Sequence, residues 1–496
     1  MTPISTGADW DFALLQRYDE AIAGIAAEFG LDTYPNQIEV ITSEQMLDAY
    51  ATSGLPIGYP HWSYGKEFLR NEQAYRRGAQ GLAYEIVINS NPCIAYLMEE
   101  NTMTTQALVI AHASYGHNSF FKGNHVFRQW TAADAILDYL VFARRFVQEC
   151  EDRHGEAAVE EILDACHALM PHGVDRYSRP TPLTRKAEQA RWKERRAYDE
   201  RQFNELWRST VPEKTATQPG SDGKPFPAEP QENILYFVEK FSPSLEPWQR
   251  ELVRIVRKLA QYFYPQAQTK VMNEGWATFW HYTILNKLHE RGLVDCGFML
   301  EFLNSHTSVV CQPSFDSPAY GGLNPYALGF SMFSDIRRIC ERPDDEDREW
   351  FPQIAGTDWR KTLDYAMRNY KDESFIAQFL SPRLMREMRL FALADHVDES
   401  ELRVDSIHDD RGYRRVRKLL ASQYARESYV PDVQVLRFHR NGDRSLDLRH
   451  FAHRGRPLTA ATEEVVKHLR RLWGFAVRLE TWDGTERIGK LVECPA

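Results

Sequence analysis

VIAHASYGHNSFFKGNH, residues 109–125, is the stretch that decides how this chain is interpreted. An apolar run opens it, and three histidines follow: His112, His117 and His125. The segment from about Asn101 to Tyr115 has the pattern of a helix, and two strand-like runs, LAYEIVINS (82–90) and CIAYLMEEN (93–101), precede it. The sequence therefore predicts an antiparallel hairpin followed directly by a helix that carries histidines.

The spacing of His112 and His117 decides whether they can share a metal ion. In the zinc-peptidase motif H-E-x-x-H, the two histidines lie on one face of a helix and the Glu activates water. Here the histidines are five residues apart, which separates them by about 140° on an ideal α-helix. They can share a metal only if the helix is distorted, and Gly116 is a residue at which a bulge or a left-handed turn is allowed. Ala113 stands where that motif has its catalytic Glu.

A second group of polar residues lies in NEGWATFWH, residues 273–281. Glu274 and His281 project from nearly the same face of a helix, separated by about 10.5 Å of helical rise. This spacing favours Glu274 as a metal ligand or a base, with His281 supporting it or lining the same cleft. The alternative is a partly buried pair at a helix–helix contact, and the histidines of 109–125 are equally open to interpretation as core residues. For His61 and His306 we expect structural roles.

The composition describes a folded protein and excludes several classes. Of its 496 residues 43% are hydrophobic and 26% charged, and the net charge of −10 gives no overall attraction to nucleic acid or to an anionic membrane. The sequence has no signal-peptide pattern, no membrane-length apolar run, no nucleotide-binding glycine motif and no GxSxG. Seven scattered cysteines without a CxxC pair are typical of reduced thiols. We therefore expect a cytoplasmic protein without a nucleotide cofactor or a membrane-inserted segment.

Two regions are predicted along the chain. Residues 1–426 are predicted to form a mainly α body with a small antiparallel β element in the N-terminal third. Within this body, the charged segment 184–207 is interpreted as a solvated helix and about 209–232 as a flexible loop. Residues 427–496 are predicted to form a small α+β domain of ββαβ order, whose hairpin turns at Asn441-Gly442 with a two-residue loop.

Five blocks of sequence carry a resemblance to a known family: YEIVINSNPCIAYLMEEN, AHASYGHNSFFKGN, YFYPQAQTKVMNEGWATFWHY, NPYALGFSMFSDI and DESFIAQFLSPRLMREMRLF. Through them the chain resembles the SpoVR family (stage V sporulation protein R) over nearly its whole length. The resemblance implies a cytoplasmic role in spore cortex formation or, in bacteria that do not sporulate, a role linked to stress or development. It also implies two partners encoded beside the homologues, a serine protein kinase and a von Willebrand factor A-like protein.

A more distant similarity concerns gluzincin-type metallopeptidases, which would make the body zincin-like. The order of hairpin, histidine helix and later EGWA helix is similar to theirs, and this similarity implies His112, His117 and Glu274 as ligands of zinc or another divalent metal. The five-residue histidine spacing and Ala113 depart from that pattern.

Two functions from different classes follow from these resemblances. The first is a metallohydrolase-like enzyme in which Tyr115, Asn118 or His281 replaces the missing base, or in which Glu274 itself serves as the base. A peptidoglycan precursor would suit the family's role in the cortex. The second is a non-enzymatic regulator or scaffold, a partner of the kinase and the von Willebrand factor A-like protein.

Overall fold

The computed structural model describes residues 2–51, 85–177, 229–394, 403–406, 409–452, 461–484 and 486–495, with residues 58, 59, 61, 194, 226, 227, 458 and 459 between these ranges. Apart from residue 194, the segment predicted as a solvated helix, 184–207, lies outside the described residues, and so does most of the loop predicted at 209–232. Among the helices that are described, none has both the length and the apolar character needed to cross a membrane.

Helices make up most of the described chain, as predicted. The N-terminal half contains α1 (Phe12–Phe29), β1 (Asn36–Ile41), α2 (Ser43–Ala51), β2 (Glu85–Ile88), β3 (Cys93–Met98), α3 (Met103–Val109), the π-helix (Ile110–His117), α4 (Asn118–Gly123), α5 (His125–Trp130), α6 (Ile136–His154), α7 (Glu156–Ala168) and α8 (Ile234–Phe241). The C-terminal half contains α9 (Pro247–Gln268), α10 (Lys270–Glu290), α11 (Cys296–Val309), α12 (Pro325–Glu341), α13 (Asp345–Trp350), α14 (Trp359–Asn369), α15 (Asp372–Phe379), α16 (Pro382–Glu387), β4 (Ala392–Ala394), β5 (Arg403–Ser406), α17 (Asp410–Gln423), β6 (Asp432–Phe438), β7 (Leu446–Phe451), α18 (Thr462–Trp473), β8 (Val477–Trp482) and β9 (Arg487–Cys494). Short 3₁₀ turns lie at Met170–His172 and Arg426–Ser428.

The N-terminal sheet has the order β1–β3–β2. The predicted hairpin is confirmed, because β2 pairs antiparallel with β3. Strand β1 adds to the other edge of β3 in parallel, so the sheet is mixed rather than purely antiparallel. Every residue of β3 is buried, which explains why its sequence lacks an alternation of apolar and polar residues.

Strand β3 separates two hydrophobic cores. Its residues Cys93, Ala95 and Leu97 face the first core, and its residues Ile94, Tyr96 and Met98 face the second. The first core surrounds α10 and includes residues of α1, the π-helix, α11, α12 and α15. The second core combines helices α6 to α9 with the inner face of the C-terminal sheet. The second core therefore contains buried side chains from both the body and the C-terminal element, whose boundary was predicted at residue 427.

The C-terminal element is an α+β unit, as predicted, with one strand more than expected. Its sheet has the order β6–β7–β8–β9, in which α18 connects the parallel pair β7 and β8. The ββαβ prediction missed β9, which pairs antiparallel with β8. The prediction of a two-residue turn was wrong: the connection runs from His439 to Ser445, where His439 N–H donates to Ser445 O at 3.0 Å. The small antiparallel pair β4 and β5 was also not anticipated.

Helix α10 approaches two neighbours so closely that only glycine fits at the contacts. A Cβ atom on Gly116 of the π-helix would lie 2.6 Å from Ala277 Cα, and one on Gly329 of α12 would lie 2.6 Å from Gly275 Cα. Real side chains essentially never come this close, and here the obstructing atoms belong to backbone that cannot swing aside. These contacts fix the position of α10 in the first core.

We expect Gly275→Ala to lower the free energy of unfolding by about 3 kcal/mol or more, because the added methyl group forces two packed helices apart. The matched control is Gly24→Ala, since Gly24 lies within α1 with nothing within 4 Å of an added Cβ. That variant should gain about 0.5–1 kcal/mol from its better helix propensity. Urea denaturation of both variants tests the contact, and equal stability of Gly275→Ala and the parent protein would contradict it.

The N-terminus of α10 is capped from another helix. Asp372, at the start of α15, accepts hydrogen bonds from Val271 N–H and Met272 N–H, both at 2.8 Å, and is only 1% exposed. Its burial outweighs these hydrogen bonds and, with the negative charge of Glu274 adding to the effect, raises the pKa of Asp372 from 3.8 to about 7. The carboxyl group that holds α10 in place is therefore easier to protonate than an exposed one.

A raised pKa in the folded state means that the stability contributed by Asp372 is complete below its unfolded value of 3.8 and is lost as the pH rises through about 7. We therefore expect Asp372→Asn to flatten the decline in unfolding free energy between about pH 4 and about pH 7. The measurement is a denaturation series over that pH range, with exposed Asp345→Asn as control. An unchanged pH slope in Asp372→Asn would contradict the assignment.

Candidate metal centre

The histidine segment adopts the distortion that its spacing required. Residues Ile110–His117 form a π-helix between α3 and α4, and at its end Asn118 N–H donates to Ala113 O, five residues back. Because i→i+5 hydrogen bonding stacks residues five apart, His112 and His117 come to lie one above the other. Their rings meet edge to face with centroids 4.6 Å apart. Gly116 contributes through its close contact with Ala277, and it does not form a left-handed turn.

Two carboxylates approach this pair of imidazoles. Glu85 Oε1 lies 3.2 Å from His112 Nε2 and 3.7 Å from His117 Nε2. Glu274 Oε2 lies 3.8 Å and 3.6 Å from the same two nitrogens. Glu274 comes from α10, whereas Glu85 opens β2, on the strand face opposite Ile86 and Ile88, which pack in the second core.

The distances suit a divalent cation. Metal–ligand bonds of about 2.0–2.2 Å in a tetrahedral site place the ligand atoms about 3.3–3.6 Å from one another, and the four separations here run from 3.2 to 3.8 Å. Among the described residues, Glu85, His112 and His117 form a group whose ligand atoms all lie within 4.8 Å of one another. Glu85 Oε2 and Glu274 Oε2 are buried without a hydrogen-bond partner. These residues could therefore hold a metal ion.

Both imidazoles use their other ring nitrogen for a hydrogen bond. His117 Nδ1 lies 2.9 Å from Asn273 Oδ1, and His112 Nδ1 lies 2.9 Å from His281 Nδ1. An amide oxygen only accepts, so His117 carries its proton on Nδ1 and presents the lone pair of Nε2 to the carboxylates. Partners of this kind fix the ring orientation of metal-binding histidines in other proteins.

Burial and the neighbouring charges act in opposite directions on the ionisable groups of this cluster. Burial raises the pKa of Glu85 to about 7 and lowers the pKa of His117 to about 4. Burial also acts against a charge on His112, but the carboxylates of Glu85 and Glu274 outweigh it and raise the His112 pKa. For Glu274 the balance is similar, since burial is outweighed by His117 and His112 and the Glu274 pKa falls. One positive charge beside the carboxylates of Glu85 and Glu274 is thus favourable in this cluster.

The remaining residues predicted for the site have different places. His281 joins the cluster through His112, as described above. The Tyr115 hydroxyl donates to Asp19 Oδ1 of α1 at 2.8 Å. The Asn118 side chain accepts from Tyr34 N–H at 2.8 Å and donates to Tyr34 O at 2.9 Å. The structure therefore brings together His112, His117, Glu274 and His281, whereas Tyr115 contacts α1 and Asn118 contacts the segment just before β1.

His125, the third histidine of the quoted stretch, is exposed and interacts through Nδ1 with Arg368 O at 3.1 Å. His61 Nε2 lies 3.1 Å from Asp164 Oδ1. Neither contact involves a residue of the metal centre. His125 is therefore a natural control for experiments on the other two histidines.

Sequence reasoning missed three residues of the site: Glu85, Asn273 and His306. Glu85 had a usable signal, since it is the acidic residue of an otherwise apolar strand, EIVI, next to a predicted histidine helix. Asn273 adjoins Glu274 in sequence, but nothing in the pattern showed that its amide faces a histidine. His306 lies in α11, far away in sequence, and the fold alone brings its Nδ1 to 2.9 Å from His281 Nε2.

Comparison with known proteins places the chain in a family. The family model described as SpoVR like protein matches residues 9–429, and that of the SpoVR-like C-terminal domain matches residues 431–484. The chain belongs to the SpoVR family, which confirms the resemblance seen in its sequence. It is 57% identical to the uncharacterized protein YcgB of Escherichia coli (strain K12) over 494 residues, covering 100% of this chain and 97% of that protein. No solved structure matches the chain, and the similarity to gluzincins stays a prediction.

Proposed function

We propose that this SpoVR-family protein binds one divalent metal ion, such as zinc, between Glu85, His112, His117 and Glu274, and uses it for hydrolysis. One observation carries the proposal: two imidazole Nε2 atoms and two carboxylate oxygens converge within 3.2–3.8 Å in a mostly buried site. Histidine and carboxylate ligands suit zinc and its neighbours among the divalent metals. The unpartnered oxygens of Glu85 and Glu274 support the same assignment.

The chemistry expected of such a centre is polarisation of a carbonyl group and activation of water. The zinc-peptidase base is replaced by Ala113. Three protein ligands leave a position open for water in catalytic zinc sites, so His112, His117 and Glu85, whose ligand atoms all lie within 4.8 Å of one another, suffice as ligands. The second carboxylate, beside the same two imidazoles, is then placed to accept the proton of that water. The site thus contains a base that comes from outside the histidine helix.

Metal analysis of tag-free protein tests the proposal first. We expect about one equivalent of a divalent metal in the parent protein, and a loss in His112→Ala and in Glu85→Gln, each of which removes a ligand. His125→Ala should keep the metal, since His125 lies in the same stretch but outside the site. Mass spectrometry of the metals, with circular dichroism to verify folding, gives the answer. Metal-free parent protein that takes up no added zinc would overturn the proposal.

The proposed substrate class is a peptidoglycan precursor, in agreement with the cortex role implied by the family. With zinc bound, the protein should hydrolyse an amide or ester bond in such a precursor, because the ion would polarise the carbonyl group, water would supply OH to the acyl carbon, and the nearby carboxylate would pass the water's proton to the leaving group. The appearance of hydrolysed product by mass spectrometry is the measurement, and folded His112→Ala should lose at least about 100-fold in rate. Equal turnover by parent and variant would argue against hydrolysis at this centre.

A second candidate function is non-enzymatic: a regulator or scaffold for a serine protein kinase and a von Willebrand factor A-like protein. The observation that favours it is a charged cavity of about 600 Å³ on the C-terminal sheet, which shares no lining residue with the metal centre. Four arginines line it: Arg437, Arg449, Arg478 and Arg487. In this case His112→Ala would still co-purify with both partners, and the cellular role would survive loss of the metal.

A further inference from the structure

Three histidines from three different helical segments form one hydrogen-bonded chain. His112 of the π-helix meets His281 of α10 through their Nδ1 atoms at 2.9 Å. His281 Nε2 meets Nδ1 of His306, in α11, also at 2.9 Å. His281 is 1% and His306 4% exposed, so water contributes little to their hydrogen bonding. The chain runs from the carboxylates of the metal centre into the first core.

With a cation bound, the hydrogen bonds among the three histidines are donated in one direction, from His112 towards His306. When His112 binds a cation through Nε2, its remaining proton must be on Nδ1, because a neutral imidazole has one donor and one acceptor nitrogen. His281 Nδ1 must then accept, and its proton lies on Nε2. Donation from that atom makes His306 Nδ1 an acceptor in turn. The binding of a cation at one end therefore specifies the tautomer of all three rings.

Aromatic packing holds the far end of the chain in place. The His306 ring lies 4.8 Å from the ring of Tyr282 and 4.9 Å from that of Phe330, centroid to centroid. The Phe302 ring lies 5.8 Å away on the same helix as His306. A residue so enclosed has little rotational freedom. His306 is thus a fixed acceptor for the His281 N–H.

We propose that His281 and His306 are positioning residues of the metal centre: His306 orients His281, which in turn holds His112 with its Nε2 directed at Glu85 and Glu274. This inference rests on the proposed function, since it concerns how tightly the same site binds its metal. It goes beyond the ligands themselves, because it assigns a role to a histidine that touches no ligand. Residues that orient a metal-binding histidine typically change metal affinity by about 10- to 100-fold when they are lost.

The test is a titration of the metal-free full-length protein with Co²⁺, whose visible absorption reports the geometry of its ligands. We expect His281→Ala to weaken Co²⁺ binding by about 10- to 100-fold and His306→Ala to weaken it by a smaller factor. The double variant should bind no more weakly than His281→Ala alone, because His306 acts only through His281. His289→Ala is the control on α10: His289 Nδ1 lies 3.3 Å from Val294 O, a contact that involves none of the three linked histidines, so this variant should leave binding unchanged.

Substitution of His281 by Asn gives a second, independent readout. An Asn side chain places its Oδ1 acceptor near the position of His Nδ1, while its amide NH2 group lies near the position of His Cδ2 and falls short of the Nε2 position that faces His306. His281→Asn should therefore recover most of the affinity and the absorption spectrum, and His306→Ala should have no further effect in that background. If His281→Ala fails to fold, the comparison of His281→Asn with the double variant His281→Asn/His306→Ala tests the positioning role.

The outcomes separate the two proposals. Parent protein that binds no Co²⁺ overturns the metal centre and this inference together. Parent protein that binds Co²⁺, with His281→Ala or His306→Ala binding equally well and with the same spectrum, overturns the positioning role and leaves the metal centre intact. Losses in the double variant that add up to the sum of the single losses also overturn it, since they would show that the two histidines act independently.

Discussion

The close contact of α10 with its two neighbours is the constraint on which the rest of the structure depends. At Gly116 and Ala277 the π-helix lies directly against α10, and at Gly275 and Gly329 the backbones of α10 and α12 touch. Helices that pack through glycine come closer than the usual 8–10 Å between axes. Side chains that flank these contacts, such as Glu274 beside Gly275, are consequently brought within reach of residues on the neighbouring segment. The candidate metal centre lies where these contacts place His112, His117 and Glu274 together.

The type and order of the elements could largely be predicted from the sequence, whereas the pairing of distant elements could not. The β2–β3 hairpin and the histidine helix have local patterns, and the spacing of His112 and His117 shows that they could share a metal ion only in a distorted helix. The form of the distortion does not follow, because a π-helix is selected by packing against α10 rather than by local propensity. Glu85 and His306 join the site only through contacts between elements remote in sequence, which a single sequence does not encode in any local pattern.

Concentrating this many polar groups in a core has an energetic cost. Burial raises the pKa of Glu85, so its charged form is less stable in the folded chain than in water. Glu85 Oε2 is also buried without a hydrogen-bond partner, which adds to this cost. The surrounding apolar residues and the rigid contacts of α10 must supply the stability that the site removes. Sites of this kind are typical of function, because a core built for stability alone would be filled with apolar side chains.

The second core has a consequence for how the chain is made. Its helices α6 to α9 bury their apolar faces partly against β6, β7 and α18, and Gln231 pairs with Val435 across about two hundred residues of sequence. During synthesis from the N-terminus, these helices leave the ribosome long before the strands that cover them. At about 5–20 residues per second, the interval is on the order of ten to forty seconds. Throughout that time the nascent chain exposes an apolar surface that the cell must protect from aggregation, and β6, β7 and α18 complete a core whose first members, Met46 and Ala49, lie in α2.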